Sequence, residues 1–175
     1  MKKIKYTISI YTENNVGLLN RISAIFLKRH INIRSITCSE SEITDIYRFI
    51  IVVKVDSDKI LKIIKQIEKQ IEVISAFYHT DEETIFLETA LYKVKSKSLF
   101  KERKIQNIIK ESRANIVTVK PEYFVIEKTG WREETEDLYN KLKKYGLLQF
   151  VRSGRISVSK KSMEITKYLK SNKNE

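Results

Sequence analysis

Hydrophobic and polar residues alternate at the start of the chain. Apolar side chains occupy every second position from Ile4 to Ile10, which is the period of a half-buried β-strand. The polar residues 12–17 interrupt this pattern. Apolar residues then recur at helical spacing over residues 18–26, which predicts an amphipathic helix. Segments rich in β-branched and aromatic residues predict two further strands at 32–38 and 44–55.

A second helix and a fourth strand complete this half of the chain. Asp56 can serve as an N-cap, and isoleucines at 60, 63, 64 and 67 supply the apolar stripe of the helix that follows. Residues 72–77 then predict a strand. The resulting order, β-α-β-β-α-β, is that of the split βαβ or ferredoxin-like fold.

The same order recurs in the second half. Strands are predicted at 85–94, 116–119, 123–127 and 147–151, with one helix marked by Ile105 and Ile109 and another that begins near Trp131. A short strand at 155–158 and a helix at 161–169 follow. We therefore predict an α+β protein with two ferredoxin-like βαββαβ domains in tandem. The predicted domains are residues 1–79 and 83–160, and residues 161–175 form a helical tail with a frayed end.

Composition and charge narrow the possible functions. The net charge is +12, from 34 basic and 22 acidic residues. Because the basic excess is spread over the whole chain, it favours a solvated surface over a nucleic-acid footprint, which needs clustered cations. Cys38 is the only cysteine, which excludes an intramolecular disulfide and fits a reducing compartment. The start of the chain does not resemble a signal peptide. We expect a cytoplasmic protein that binds neither nucleic acid nor membrane.

The motifs of common enzyme sites are missing from the sequence. Its four glycines form no nucleophile elbow, phosphate loop or dinucleotide fingerprint. His30 and His79 are too far apart in sequence to predict a zinc site with Cys38. We therefore expect no catalytic residue, cofactor or metal in this chain.

The segment ENNVGLL, residues 13–19, joins the first strand to the first helix. A helix N-terminus leaves backbone N–H groups without intrahelical partners, and such groups attract a carboxylate. Gly17 would let a ligand approach the backbone closely, and Asn14 could orient the turn or bind the ligand. By spacing alone, a plain Asn-rich turn with a glycine for backbone geometry is the favoured interpretation of this segment.

Several motifs resemble one protein family. Residues 8–22, ISIYTENNVGLLNRI, resemble the opening of an ACT domain, and residues 29–36, RHINIRSI, are similar to a stretch of acetolactate synthase small subunits. The second half resembles the same subunits at 88–94 (ETALYKV), 113–119 (RANIVTV), 127–130 (EKTG) and 150–158 (FVRSGRISV). The resemblance extends from about residue 4 to residue 160. It implies an N-terminal ACT domain followed by an ACT-like C-terminal domain.

The resemblance also implies a function. Small subunits of this family pair through their ACT domains and bind a branched-chain amino acid, usually valine, at the dimer interface. The matching positions here are Asn14, Gly17 and Leu18, with Asn32 contributed by the neighbouring subunit. The small subunit activates a separate large subunit, which carries thiamine diphosphate, Mg²⁺ and FAD, and it mediates feedback inhibition. One departure is His30, which stands where the family usually has a glycine.

Other functions remain open from sequence alone. A free-standing ACT-repeat protein could bind an amino acid and regulate another enzyme or transcription. A DNA-binding regulator would need a helix-turn-helix or a similar segment, and the two α/β halves leave no spare helical pair for one. An enzyme would need a reactive constellation of side chains that the sequence does not show.

Overall fold

The chain forms two compact units. The structure, a computed structural model, describes residues 3–97, 103–162 and 164–172. The first unit comprises Met1–Phe86 together with Arg155–Glu175, and the second comprises Leu87–Gly154. Among the described residues, no helix is both long enough and apolar enough to cross a membrane.

The first unit has the predicted order of strands and helices. Its elements are β1 (Ile4–Glu13), α1 (Leu18–Leu27), β2 (Ile33–Glu40), β3 (Ile46–Val55), α2 (Ser57–Ile67) and β4 (Val73–Thr80). The strands form an antiparallel sheet in the order β2-β3-β1-β4.

One face of this sheet packs against both helices. Ile8 and Ile51 are paired across β1 and β3, and both are fully buried, as are Ile22 of α1 and Ile63 of α2. Full burial of one such side chain contributes about 1.5–3 kcal/mol. The period-2 and helical patterns in the sequence therefore describe a single core between sheet and helices.

The second unit repeats this plan. Its elements are β5 (Thr84–Lys95), which begins in the first unit, α3 (Arg103–Glu111), β6 (Asn115–Val119), β7 (Tyr123–Gly130), α4 (Arg132–Leu142) and β8 (Leu147–Arg152). The strand order is β6-β7-β5-β8. It matches that of the first sheet, because β5, β6, β7 and β8 take the places of β1, β2, β3 and β4. Tyr92, Phe124 and Leu138 are fully buried in its core. The predicted fold class, two ferredoxin-like domains in tandem, is confirmed.

The C-terminal segment belongs to the first unit, which differs from the predicted extent of the second domain, residues 83–160. This return segment contains β9 (Ile156–Ser159), which pairs with β5, and α5 (Ile165–Asn172). Leu169 of α5 is fully buried against Tyr11 and Ile46, on the sheet face opposite α1 and α2. Strand periodicity does not reveal such a return, because it describes neighbours along the chain and not the partner of a later segment.

Local backbone geometry shifts the predicted start of β3, whereas α2 begins directly after the predicted N-cap residue. Strand β3 begins at Ile46 and not at residue 44, because Asp45 has a left-handed backbone with φ 64°. Asp56 occupies the N-cap position of α2, but its carboxylate pairs with Lys59 Nζ at 3.1 Å and makes no capping hydrogen bond. The end of the predicted frayed tail, residues 173–175, lies outside the described residues.

Candidate functional site

The turn between β1 and α1 lines a small pocket, here called the loop pocket. Its volume is about 180 Å³, and its lining includes three of the four predicted site residues, Asn14, Gly17 and Leu18. Asn14 and Gly17 are exposed, whereas the side chain of Leu18 is buried in the core of the first unit. The structure thus brings these three predicted residues together.

Gly17 gives the turn its shape. Its φ of 83° lies in the left-handed region, which favours glycine. Its carbonyl accepts hydrogen bonds from the N–H groups of Asn20 and Arg21, at 3.1 and 3.3 Å, and these begin α1. Within the described part of the chain, the N–H groups of Val16, Gly17 and Leu19 have no hydrogen-bond partner. The pocket therefore adjoins unpaired donors at the positive end of a helix dipole.

Neighbouring segments hold the turn in place. The N–H of Asn14 donates to the carbonyl of Asp45 at 3.2 Å, and the N–H of Glu13 donates to the carbonyl of Glu72 at 2.9 Å. Arg21 pairs through its guanidinium with the Glu72 carboxylate at 2.6 Å. Two separate connections of the fold thus fix the backbone that carries the free amides.

The opposite wall of the loop pocket comes from β2 and β3. Cys38, Tyr47 and Phe49 line it, and Cys38 lies directly across from Phe49 in the sheet register. The Tyr47 hydroxyl donates a hydrogen bond of 3.2 Å to Glu40, which raises the pKa of Tyr47. Burial raises the pKa of the Cys38 thiol. This wall is therefore uncharged at neutral pH.

Sequence analysis did not identify these three wall residues. Strand alternation places 47 and 49 on one face of β3, and that much can be read from the sequence. The position of Cys38 beside them depends on the register between β2 and β3, which shifts between Ile33 and Ser35. The sequence carries no clear signal for that irregularity.

Asn32, the fourth predicted site residue, lies elsewhere on the same chain. It lines a separate open pocket of about 460 Å³ at the start of β2. Most of the charged side chains there are basic: Lys3, Arg29, Arg34, Lys54 and Lys59, with Asp56 as the acid. Within one chain, Asn32 therefore does not share a pocket with Asn14.

The groups that line the loop pocket are suited to binding a small ligand. It combines unpaired backbone N–H groups, the side-chain amides of Asn14 and Asn15, the carboxylate of Glu13 and an uncharged wall. In residues 3–97, 103–162 and 164–172, no group of three or more His, Cys, Asp or Glu side chains could hold a metal ion. The arrangement suits a small ligand with a carboxylate at one end and an apolar group at the other.

Comparison with known proteins assigns a family to this architecture. Residues 8–75 match the family model of the AHAS small subunit-like ACT domain, and residues 87–161 match that of the small subunit of acetolactate synthase. The acetolactate synthase small subunit of Mycobacterium bovis is 33% identical over 89% of this chain and 92% of its own length. That of Bacillus subtilis is 35% identical over 86% and 88%.

A solved structure shows the same fold over nearly the whole chain. The crystal structure of the acetolactate synthase small subunit from Thermotoga maritima superposes with a TM-score of 0.81 and 28% sequence identity, covering 91% of this chain and 99% of that one. Sequence identity, domain order and fold agree across both halves. The chain belongs to the acetolactate synthase small-subunit family.

Proposed function

We propose that this protein is the regulatory subunit of a cytoplasmic acetolactate synthase. In this proposal it raises the activity of a separate catalytic large subunit and inhibits that subunit when valine or a related branched-chain amino acid binds. Thiamine diphosphate, Mg²⁺ and FAD belong to the large subunit. The observation that carries the proposal is the loop pocket, with its unpaired amides at the N-terminus of α1.

A branched-chain amino acid matches the loop pocket group by group. Its carboxylate can accept hydrogen bonds from the backbone N–H groups of Gly17 and Leu19, which line the pocket. Its ammonium can donate to the side chains of Asn14 and Glu13 at the same rim. Its short aliphatic side chain suits the uncharged wall on β2 and β3. A cavity of about 150 Å³ holds benzene, so the volume of about 180 Å³ is of the right size.

The free edge of β2 offers a way to bring Asn32 to this pocket. In the described chain β2 is an edge strand, and Ile36 at its middle is 39% exposed. Such an edge can pair with another strand. Antiparallel pairing of two β2 strands about Ile36 would put the partner's Asn32 opposite Glu40, two residues beyond Cys38. We therefore propose a homodimer whose effector site uses Asn32 from the second copy.

Regulation requires that the effector distinguish two states of the complex. A ligand that binds both states equally well shifts nothing, and allosteric coupling free energies are typically about 1–3 kcal/mol. Because coupling is reciprocal, the large subunit must change the affinity for valine by the same factor. Equal valine affinity with and without the large subunit would contradict this mechanism.

Reconstitution with the large subunit tests the function directly. Acetolactate formation is measured with the large subunit alone, with the small subunit added, and with valine added to both. We expect activation by the small subunit and inhibition by valine. A small subunit that neither binds nor activates the large subunit would favour a free-standing amino-acid sensor instead.

Two substitutions test the proposed effector site. Asn14→Ala should weaken valine binding by about 1–3 kcal/mol, because one polar partner is lost, and should leave activation intact. Asn32→Ala should act in the same direction if the partner's residue completes the site. Asn107→Ala is the matched control, since Asn107 is exposed on α3 in the second unit. Calorimetry that shows unchanged valine affinity for Asn14→Ala would remove that residue from the site.

A further inference from the structure

A second cavity lies within the first unit, on the sheet face opposite α1 and α2. We call it the sheet cavity. Its volume is about 190 Å³, and it is lined by β1, β3, β4 and the return segment, with Glu42 and Thr84. It shares no lining residue with the loop pocket. Its lining differs in character as well, because basic side chains predominate among its charged groups.

The charged side chains that line the sheet cavity are Arg48, Lys161, His79 and Glu42. Glu42 is exposed. Burial lowers the pKa of His79, and so does the nearby charge of Lys161, although Glu83 raises it. With His79 neutral at pH 7, two cations face a single exposed carboxylate. Cations therefore outnumber carboxylates in the lining, although Glu83, outside the lining, interacts with both His79 and Lys161.

Arg48 is one of the two cationic side chains that line the cavity. One of its terminal nitrogens donates to the carbonyl of Ser157, and its guanidinium lies 5.7 Å from the centre of the Tyr11 ring. These contacts fix the side chain. Its Nε is buried and has no hydrogen-bond partner among the described residues. A buried donor on a charged group is costly when it lacks an acceptor.

The rest of the lining is part apolar and part hydroxyl. Phe77, Val158 and Ile165 provide apolar surface, and Ser9 and Ser159 provide hydroxyl groups. Ser159 Oγ lies 3.3 Å from His79 Nε2. An inorganic oxyanion would leave the apolar wall unused. An amino acid would bring an ammonium group towards the Arg48 and Lys161 cations.

We propose that the sheet cavity binds a small organic monoanion, a carboxylate on a short hydrocarbon chain, with the carboxylate accepting a hydrogen bond from Arg48. The volume exceeds the cavity of about 150 Å³ that holds benzene, so a ligand of this size fits. The site is independent of the proposed effector site. The two sites lie on opposite faces of β3. Arg48 lines the sheet cavity, and its neighbours in the strand, Tyr47 and Phe49, line the loop pocket.

Calorimetry on the full chain tests the proposal with three probes of similar size: isobutyrate, isobutylammonium and inorganic phosphate. We expect isobutyrate to bind, isobutylammonium not to bind, and phosphate to bind more weakly than isobutyrate. Saturating valine should not displace isobutyrate. Failure of isobutyrate to bind overturns the proposal, and phosphate binding as tight as isobutyrate overturns the assignment to an organic ligand.

Two variants and one spectroscopic signal locate the bound anion. Arg48→Gln should weaken isobutyrate binding about tenfold, because it removes a charged donor. Lys161→Gln should weaken it about threefold through the charge alone. Lys161 is exposed, so its substitution keeps the test valid if Arg48→Gln loosens the return segment. Arg103→Gln, on α3 of the second unit, is the control with the same change of charge.

The unpaired nitrogen supplies a readout that does not depend on any substitution. On addition of isobutyrate, the Arg48 Nε–H proton resonance should shift, because a carboxylate that accepts a hydrogen bond from the guanidinium changes the charge beside it. This resonance is identified by its loss in Arg48→Gln. Isobutyrate binding that leaves the Arg48 signal in place, or unchanged affinity in both Arg48→Gln and Lys161→Gln, would show that the anion binds elsewhere.

Discussion

His30 and Arg113 end helices α1 and α3 in the same left-handed conformation, with φ angles of 53° and 50°. At the end of α1, the N–H of His30 donates to the carbonyl of Leu27 at 2.9 Å, and the N–H of Ile31 donates to that of Phe26 at 3.0 Å. These two hydrogen bonds define a Schellman motif with His30 at the position that glycine usually occupies.

The second unit repeats this motif. The N–H of Arg113 donates to Lys110, and that of Ala114 donates to Ile109, both at 3.0 Å. In each unit an asparagine lies two residues after the left-handed position: Asn32 immediately precedes β2, and Asn115 is the first residue of β6. Asn115 donates its side-chain amide to Glu127 at 3.2 Å. The tandem repeat therefore extends to the geometry of the helix ends.

Because His30 has a positive φ at the end of α1, we expect His30→Gly to stabilise the protein. A left-handed conformation costs about 1–2 kcal/mol for an L-residue with a side chain, and the greater freedom of glycine in the unfolded chain offsets part of that gain. We expect a net increase of about 0.5–1 kcal/mol in the free energy of unfolding, measured by chemical denaturation. Arg29→Gly, one residue earlier and without positive φ, is the control and should destabilise. A less stable His30→Gly protein would show that His30 makes compensating contacts.

Sequence patterns predicted most of the fold because apolar periodicity and burial coincide. The alternation from Ile4 to Ile10 and the isoleucine stripe of α2 both describe the face that packs in the first core. The strand and helix of the return segment were predicted, but their packing on the first unit was not, because their partners lie far away in sequence. Thr37 Oγ1, for example, donates to the carbonyl of Arg155 at 3.2 Å.

The candidate site was predicted only in part, for a similar reason. The turn with Asn14 and Gly17 is local, so its composition shows that the backbone can carry free amides. The wall with Cys38 and Phe49 exists because a strand register brings distant residues together. Register is fixed by packing over the whole sheet and by an irregularity in β2, and neither is a local property of the sequence.

A second prediction separates backbone strain from ligand binding at Gly17. A Cβ atom at Gly17 would meet no atom within 4 Å, so Gly17→Ala should cost about 1 kcal/mol of stability through backbone conformation alone. It should also weaken valine binding, because the turn that presents the free amides must relax. Gly146→Ala is the control. Gly146 has a similar φ of 80°, so alanine would be strained there too, and the residue lies in the second unit. Equal valine affinity for the two variants would contradict a role for the turn.

We expect substitution of Arg155 to cause a large loss of stability. It is 3% exposed, and its Nη1 donates to Asp81 Oδ1 at 2.6 Å and to Thr7 Oγ1 at 2.9 Å. Its guanidinium lies 3.5 Å from the centre of the Phe86 ring. Arg155→Ala should lower the free energy of unfolding by about 1.5–3 kcal/mol, the usual range for hydrogen bonds to charged groups.

Arg155→Lys is the matched variant for this prediction. Lysine keeps the charge but loses the planar fork that reaches two acceptors and lies against an aromatic ring. It should therefore recover part of the stability, and denaturant unfolding of the three proteins should rank parent, Arg155→Lys and Arg155→Ala in that order. Equal stability of the lysine and alanine variants would show that charge at this position contributes nothing.

The last prediction concerns the stability of the protein at acidic pH. Burial alone would raise the pKa of Asp81, but hydrogen bonds from Lys5 and Arg155 outweigh it and hold that pKa below its usual 3.8. A carboxyl group with a lowered folded-state pKa binds fewer protons when folded than when unfolded, so its stabilisation is present above about pH 4 and is lost as pH falls through the lowered value.

Asp81→Asn removes this titration and gives the test. At pH 7 the variant should be less stable than the parent, and the gap should narrow as pH falls below about 4, because the parent carboxylate is then protonated. Lys5→Gln should show a shallower acid dependence than the parent, since Lys5 Nζ lies 2.6 Å from Asp81 Oδ2 and is one of two cations that hold it. Denaturant unfolding across the acid range measures both effects. A gap between parent and Asp81→Asn that stays constant from neutral to acid pH would place the pKa shift elsewhere, because only a titrating Asp81 makes the difference depend on pH.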